Sequence, residues 1–305
     1  MLNMFDDTEA HKTVKFSSLG SYINEFSDVI YQYDTLFNGN DTIALNSVSR
    51  FTANGIFPLS DGTSAVISAW APNYMNKLTD TTIVQLSIYD NIGQFVDDRY
   101  IFINATVGVK NVFVSSTDDI IFILETPGAN SETYIYITDI QGNPVGLSDP
   151  LDIFEVYSFF ENNKGEYLFS ASSFNGSADL IGLLFSMNRQ GQGLWFKQYL
   201  NKSAWIFTSM IEMNDGYLFT GFNINKVLLE IDWRTTFDAE NVKAVLLKTD
   251  FLGAEVLQNM LQNTESTVGA SVLVGENITF FGGKYDRTIH STLILKLNQD
   301  LKIIN

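Results

Sequence analysis

Along most of the chain, apolar and polar positions alternate in short runs that are broken at intervals by Asp, Asn and Gly. Alternation with a period of two marks a half-buried strand, and such runs between turn residues read as strands. The runs also repeat in a fixed order. An alternating strand leads to Asp or Asn, two further residues, Gly and a second strand. The copies are IVQLSIYDNIGQFVDDRYIF around Asp90 and Gly93, YIYITDIQGNPVGL around Asp139 and Gly142, GLLFSMNRQGQGLWFKQY around Asn188 and Gly191, and AVLLKTDFLGAEVL around Asp250 and Gly253. LILKLNQDLKII keeps Asn298 but has Leu301 in the glycine place, and VIYQYDTLFNGNDTIAL offers Asp34 with its glycine displaced to Gly39.

The chemistry of a tight hairpin accounts for this signature. An Asp or Asn side chain at the first turn position accepts from backbone N–H groups ahead of it, and Gly supplies the positive φ that closes the turn. A β-branched residue at Gly142 or Gly253 is expected to cost about 1 kcal/mol or more.

A second element precedes each hairpin, a turn and then a short apolar strand. NDGYLFTGF and KGEYLFSASSF are the clearest copies, and SDGTSAVISAW, TDDIIFILET and GENITFFGG take the matching places. Another alternating stretch comes before each of these, such as WIFTSMIEM or FEVYSFFEN. The unit is therefore strand A, turn, strand B, loop, strand C, D-x-x-G turn, strand D. The anchors Asp34, Asp90, Asp139, Asn188, Asp250 and Asn298 lie 56, 49, 49, 62 and 48 residues apart. That period suits a four-stranded propeller blade of roughly 40–50 residues. The predicted fold is all-β, a β-propeller of four-stranded antiparallel blades, about six with the first irregular. Five blades with an N-terminal extension is the alternative. The expected domain runs over 14–305, with complete units from about residue 46 and a flexible segment over 1–13.

GYLFTGF paired with AVLLKTDFLGAEVL resembles a family of bacterial extracytoplasmic propeller repeats, in which a G-G-Y-x-x-x-G strand precedes K-x-D-x-x-G and a strand with Trp. WFKQY, with Trp195 and Lys197, is similar to that last strand. The resemblance runs from about Arg50 onward and implies a propeller at the cell surface or in the periplasm, lipoprotein-like and of Bacteroidetes type. It implies no catalytic residues.

Charge narrows the partners. With 18 basic against 35 acidic residues the net charge is −17, and no basic cluster offsets it, so nucleic acid and anionic lipid are disfavoured. The chain has no cysteine, which removes disulfides, thiolate nucleophiles and Cys-based zinc sites, and fits an oxidising compartment. MLNMFDDTEAHK lacks the basic and apolar regions of a signal peptide, and no apolar run is long enough to span a bilayer. The absence of cysteine and the resemblance favour an extracytoplasmic address, and the lack of a signal peptide keeps the cytoplasm as the alternative.

Catalytic chemistry is sparse. Only His11 and His290 are available for a metal pair or a triad, and the acidic stretches lack the spacing of a calcium loop. Phosphate-cradling glycine loops are absent, and the five N-x-[ST] sequons occur at chance frequency. No metal or cofactor is predicted, and most Asp residues are explained as turn residues. The clearest irregularity is the long B-to-C connection from Asn223 to Val242, which carries Trp233 and Arg234. Long loops in compact domains are commonly functional. In a propeller the B–C and D–A loops share one face. Trp70, Tyr74, Trp233, Arg234, Tyr285 and Arg287 are the candidate binding residues there, since aromatic and Arg side chains anchor interfaces. The expected function is a non-catalytic interaction module that binds a protein partner through this face. A glycan-binding or glycan-degrading propeller and an intracellular or phage scaffold are the alternatives.

Overall fold

The computed structural model describes residues 2–5, 11–16, 22–28, 35–38, 41–44, 52–70, 81–105, 107–127, 131–174, 180–199, 204–224, 242–265, 267–274, 277–286 and 289–304. These residues form 24 strands in two compact units, residues 1–150 and 151–305.

In the first unit, β1 (Leu2–Phe5), β2 (His11–Phe16) and β3 (Tyr22–Asp28) make a three-stranded sheet, and β4 (Thr35–Asn38) pairs with β5 (Asp41–Ala44). Residues 1–13, read above as flexible, thus include β1, which pairs with β2 from Leu2 opposite Val14. β4 pairs with β5 up to Asn38 opposite Asp41, and Asp34 and Gly39 of the early repeat lie outside the described residues. Two four-stranded antiparallel meanders follow. The first is β6 (Thr52–Pro58), β7 (Ser64–Trp70), β8 (Thr82–Tyr89) and β9 (Phe95–Ile103). The second is β10 (Gly108–Val114), β11 (Ile120–Glu125), β12 (Thr133–Thr138) and β13 (Pro144–Leu147).

The second unit repeats the pattern. Its sheets are β14 (Glu155–Glu161), β15 (Tyr167–Phe174), β16 (Leu180–Met187), β17 (Gly193–Tyr199), then β18 (Ala204–Met213), β19 (Gly216–Ile224), β20 (Val242–Thr249), β21 (Glu255–Glu265). The last sheet has β22 (Thr267–Val274), β23 (Asn277–Asp286) and β24 (Ile289–Leu297), with Ile303 bridging Leu297 where a fourth strand would begin. The chain is all-β, with four-stranded antiparallel blades in the propeller-like order A-B-C-D predicted from the repeat.

Burial explains why the B and C strands read as continuous apolar runs. Every residue of β8 is buried. In the fourth blade, Phe219 and Leu247 pack with Leu168 and Leu184 of the third, while Leu218 and Leu246 pack with Ile278 and Phe280 of the last sheet. Neighbouring residues of β19 and β20 thus serve two different cores, because successive side chains leave opposite faces of a strand. The first unit has a matching core of Ile67, Val84, Leu86, Ile101, Ile120 and Phe122. Strands A of successive sheets lie side by side, β6 with β10 in the first unit, β14 with β18 and β18 with β22 in the second.

The repeated turn has one geometry throughout. In the 90–94 turn the N–H of Gly93 donates to Asp90 O at 3.0 Å, and the N–H of Asp90 donates to Gln94 O at 2.9 Å. The Asp90 carboxylate accepts from the N–H groups of Ile92 and Gln94. The pattern recurs at Asp139, Asn188 and Asp250, with φ of +82°, +86°, +84° and +74° at Gly93, Gly142, Gly191 and Gly253. This is a type I turn followed by a left-handed residue in a bulge, and a ladder shift follows each one. The A–B turns at Leu59–Thr63, Ser115–Asp119 and Asn162–Glu166 use the same backbone bonds, with Asp118 (φ +65°) filling the left-handed place in the second.

Candidate functional site

In a meander, the A–B and C–D turns stand at one end of the sheet and the B–C and D–A connections at the other. The two ends differ chemically. At the turn end, polar groups are satisfied internally and also across neighbouring sheets. Ser60 donates its N–H and hydroxyl to the two carboxylate oxygens of Asp118. In the second unit, Asn162 Nδ2 donates to Tyr217 OH at 2.8 Å and the N–H of Asn163 donates to Glu212 Oε2 at 2.8 Å. Lys164 lies over the Phe251 ring at 5.6 Å. The D strands reach the next sheet's C–D turn as well. Arg99 Nη1 faces Ile140 O at 3.5 Å, Tyr199 OH donates to Gly253 O at 2.7 Å, and Asn259 Nδ2 donates to Leu301 O at 2.7 Å. Burial, with Glu255 and Asp250 adding to it, pushes the Tyr199 phenol up, so it stays a neutral donor. Many polar groups at this end are thus bonded within and between the sheets, while Ile92, Phe95 and Leu252 stand exposed there.

The opposite end carries the long connections, and strand A is irregular on that side in the four four-stranded sheets, though not in β22. The ladder shifts between Ala53 and Gly55, Val109 and Asn111, Val156 and Ser158, and Phe207 and Ser209. The extra residues are Asn54, Lys110, Tyr157 and Thr208, each five positions before the residue that opens the A–B turn (Leu59, Ser115, Asn162 and Met213). Bulges sharpen local twist and re-aim a side chain. Sequence reasoning missed this element, although a slip in the alternation of strand A is its trace, as in FEVYSFFE.

Tyr157 is the best-defined of these bulge residues. Its hydroxyl lies 2.8 Å from Ser172 Oγ, and its ring packs against Ile206 and Phe222 of the next blade. Burial, with a contribution from Glu155 and partial relief from the Ser172 bond, pushes its phenol up to about 12. At neutral pH it is therefore a neutral hydroxyl, able to donate and to accept. Beneath it, the hydroxyls of Ser158 and Ser170 are bonded to each other at 2.7 Å, and both lie within bonding distance of Phe207 O at the neighbouring bulge, to which the one not donating to its partner donates. Lys110 makes a comparable link in the first unit, with Nζ 3.0 Å from Glu125 Oε1. Among the described residues no three His, Asp or Glu side chains stand close enough to hold a metal ion.

Of the residues expected to bind, Trp70 closes β7 and Tyr285 is the penultimate residue of β23, so the backbone of each stands at the loop end of its own sheet. Their side chains, and Tyr74, Trp233, Arg234 and Arg287 entirely, lie outside the described residues. The turn residues Asp90, Gly93, Asp139, Gly142, Asn188, Gly191, Asp250 and Gly253 occupy the hairpins assigned to them.

No family model matches the chain, and no curated protein matches it. Among solved structures, a protein of unknown function from Dyadobacter fermentans is similar at 10% identity and a TM-score of 0.49, over 82% of this chain and 80% of that one. A cobalt-substituted Synechocystis apocarotenoid oxygenase is similar at 10% identity and a TM-score of 0.49, over 85% of this chain and 63% of the oxygenase. A chimera of that enzyme with RPE65 gives 11% identity and 0.49, over 88% of this chain and 64% of the chimera. The chain thus spans under two thirds of the oxygenases' length. The expectation of a non-catalytic interaction module is corrected by these comparisons. The similar structures include enzymes, as their names say. At this identity and TM-score the likeness transfers no oxygenase chemistry to the chain.

Proposed function

We propose that this chain is a bacterial extracytoplasmic propeller-repeat protein that takes a glycan at the loop end of its sheets. The observation that supports this is the contrast between the two ends of each blade. The turn end spends its polar groups on its own hairpins, whereas the loop end has long connections, bulged A strands and hydroxyl groups beside aromatic rings at Tyr157. A neutral polyol is suited by side chains that both donate and accept, and by rings whose apolar faces can cover its C–H groups. The net charge of −17 disfavours anionic ligands, which leaves neutral or basic glycans as the class. The address rests on the absence of cysteine and on the repeat signature.

The test is a panel of immobilised polysaccharides, scored both for protein retained and for reducing ends released. The wild type is compared with a variant carrying Trp70→Ala and Tyr285→Ala. The expected result is at least one neutral glycan retained or cleaved by the wild type, with roughly a tenfold loss or more in the variant at unchanged melting temperature. A wild type that neither retains nor cleaves any member of the panel overturns the reading. Protease treatment of intact cells of the native host checks the address separately.

A further inference from the structure

The chain has no cysteine, so all of its sulfur is carried by seven methionines. Four of these have described side chains. Met187, Met210 and Met213 are buried, the last two in the cores on the two faces of the fourth blade, whereas Met260 of β21 is 49% exposed. The sulfur of Met260 accepts a hydrogen bond from Asn223 Nδ2 at 3.5 Å.

The ladder explains why these two side chains meet. On β20, Lys243 pairs with Asn223 of β19 and Val245 pairs with Met260 of β21. Lys243 and Val245 are two residues apart, so the side chains of Asn223 and Met260 leave the same face and close over β20. Asn223 is buried and is paired on its other side with Trp205, so its amide stays with the sheet and cannot follow the sulfur into solvent. Met260 stands where β21 leaves regular pairing, the next paired residue being Glu265 opposite Lys243. One side of the sulfur is therefore held by a fixed donor, on a side chain that is half open to small solutes.

We infer that Met260 is a site of reversible oxidation to the sulfoxide, and that Asn223 sets the handedness of the product. A thioether sulfur has two lone pairs and is a weak acceptor. The amide of Asn223 occupies one of them, which leaves the other to react. That lone pair attacks one oxygen of hydrogen peroxide, so that an S–O bond forms and the O–O bond breaks. The hydroxide released takes the proton of the transferred hydroxyl and leaves as water. Sulfur gives up two electrons and the peroxide takes them. The product is a polar, chiral side chain, and each of its two epimers is reduced by its own class of reductase. Asn223 is the penultimate residue of β19, so the change from thioether to sulfoxide falls at the loop end of the fourth blade. The site stands whether or not a glycan binds there.

The test treats the folded full chain with graded hydrogen peroxide, removes the oxidant, digests the protein and follows each methionine peptide by mass spectrometry. Met260 should be oxidised about tenfold faster than Met187, Met210 and Met213, or more. The oxidised peptides are then divided between a reductase specific for S sulfoxides and one specific for R sulfoxides. One of the two should clear roughly three quarters or more of the Met260 sulfoxide. In Asn223→Ala both lone pairs are open, so the two epimers should approach equal amounts, while the three buried methionines stay slow as the check on folding. Met260 reacting no faster than those three overturns the inference, and so does a wild type that yields the epimers equally. An excess of one epimer that persists in a folded Asn223→Ala also overturns it. The wild-type rate and epimer ratio need no variant, so the inference can fail even if Asn223→Ala loosens the fold.

Discussion

The turn that closes the fourth blade and the turn that ends the last sheet have the same backbone, yet one holds Gly253 and the other Leu301. Both residues are left-handed, at φ +74° and +57°, and both carbonyls accept a side-chain bond from the preceding blade, from Tyr199 and Asn259 respectively. The difference lies in what the preceding D strand places against the turn. At Gly253 it places Trp195, and a Cβ there would come within 2.6 Å of Cζ3. In β21 the corresponding residue is Leu257, and the space is filled by Leu301, which is fully buried with Ile278, Phe280 and Leu297. A leucine tolerates the left-handed region at a cost of about 1–2 kcal/mol, and burying its side chain returns at least as much. The hairpin thus needs an Asx residue and a left-handed fourth position. Whether that position is glycine is decided by the neighbouring blade.

The strongest way to break this contrast is Gly253→Val. It adds left-handed strain to a collision with the indole, and a loss of about 3 kcal/mol or more is expected by denaturant unfolding. Leu301→Gly should follow at about 2 kcal/mol, because relief of φ strain only partly offsets the cavity left in the last core. Installing the last sheet's solution in the fourth blade, Gly253→Leu with Trp195→Leu, should be less damaging than the sum of its parts. A double-mutant cycle should show a coupling of about 1–2 kcal/mol. Tyr199→Phe should cost about 1 kcal/mol, since it removes the donor to Gly253 O and leaves the packing of the ring in place.

The smallest effect concerns pH. Partial burial alone would raise the Asp139 carboxyl, but hydrogen bonds from the side chain and N–H of Asn143 and the N–H groups of Gln141 and Gly142 hold it below the usual range. A carboxyl lowered by folding stabilises above its unfolded value of about 3.9, and that contribution is lost as pH falls through the folded value. Asn188 holds the equivalent turn with an amide and has no such dependence. Asp139→Asn should therefore match the wild type's slope above pH 5 and flatten the acid limb of its melting-temperature profile below about pH 4.

Much of the blade architecture was legible because a hairpin leaves local marks. Asx, two residues and Gly specify a turn through bonds made within five residues, so Asp90, Asp139, Asn188 and Asp250 could be assigned in advance. The strands between them showed in their alternation. The strand A bulges were not read, since a bulge costs only one extra residue and its effect, a turned side chain at Tyr157 or Lys110, is set by the paired strand. The loop-end residues could be named as aromatic and Arg anchors. Their chemistry depends on neighbours far along the chain, so naming them went no further than Trp70 and Tyr285 standing at strand ends.

By itself the sequence determined the order of strands, the turn positions and the absence of cysteine chemistry, all of which depend on short-range pattern or on composition. Tertiary structure decided which left-handed positions could hold a side chain and which hydroxyls met across strands at Tyr157 and Ser158. Those outcomes follow from contacts between blades, where the space and bonding open to one residue are set by others some 40–60 positions away.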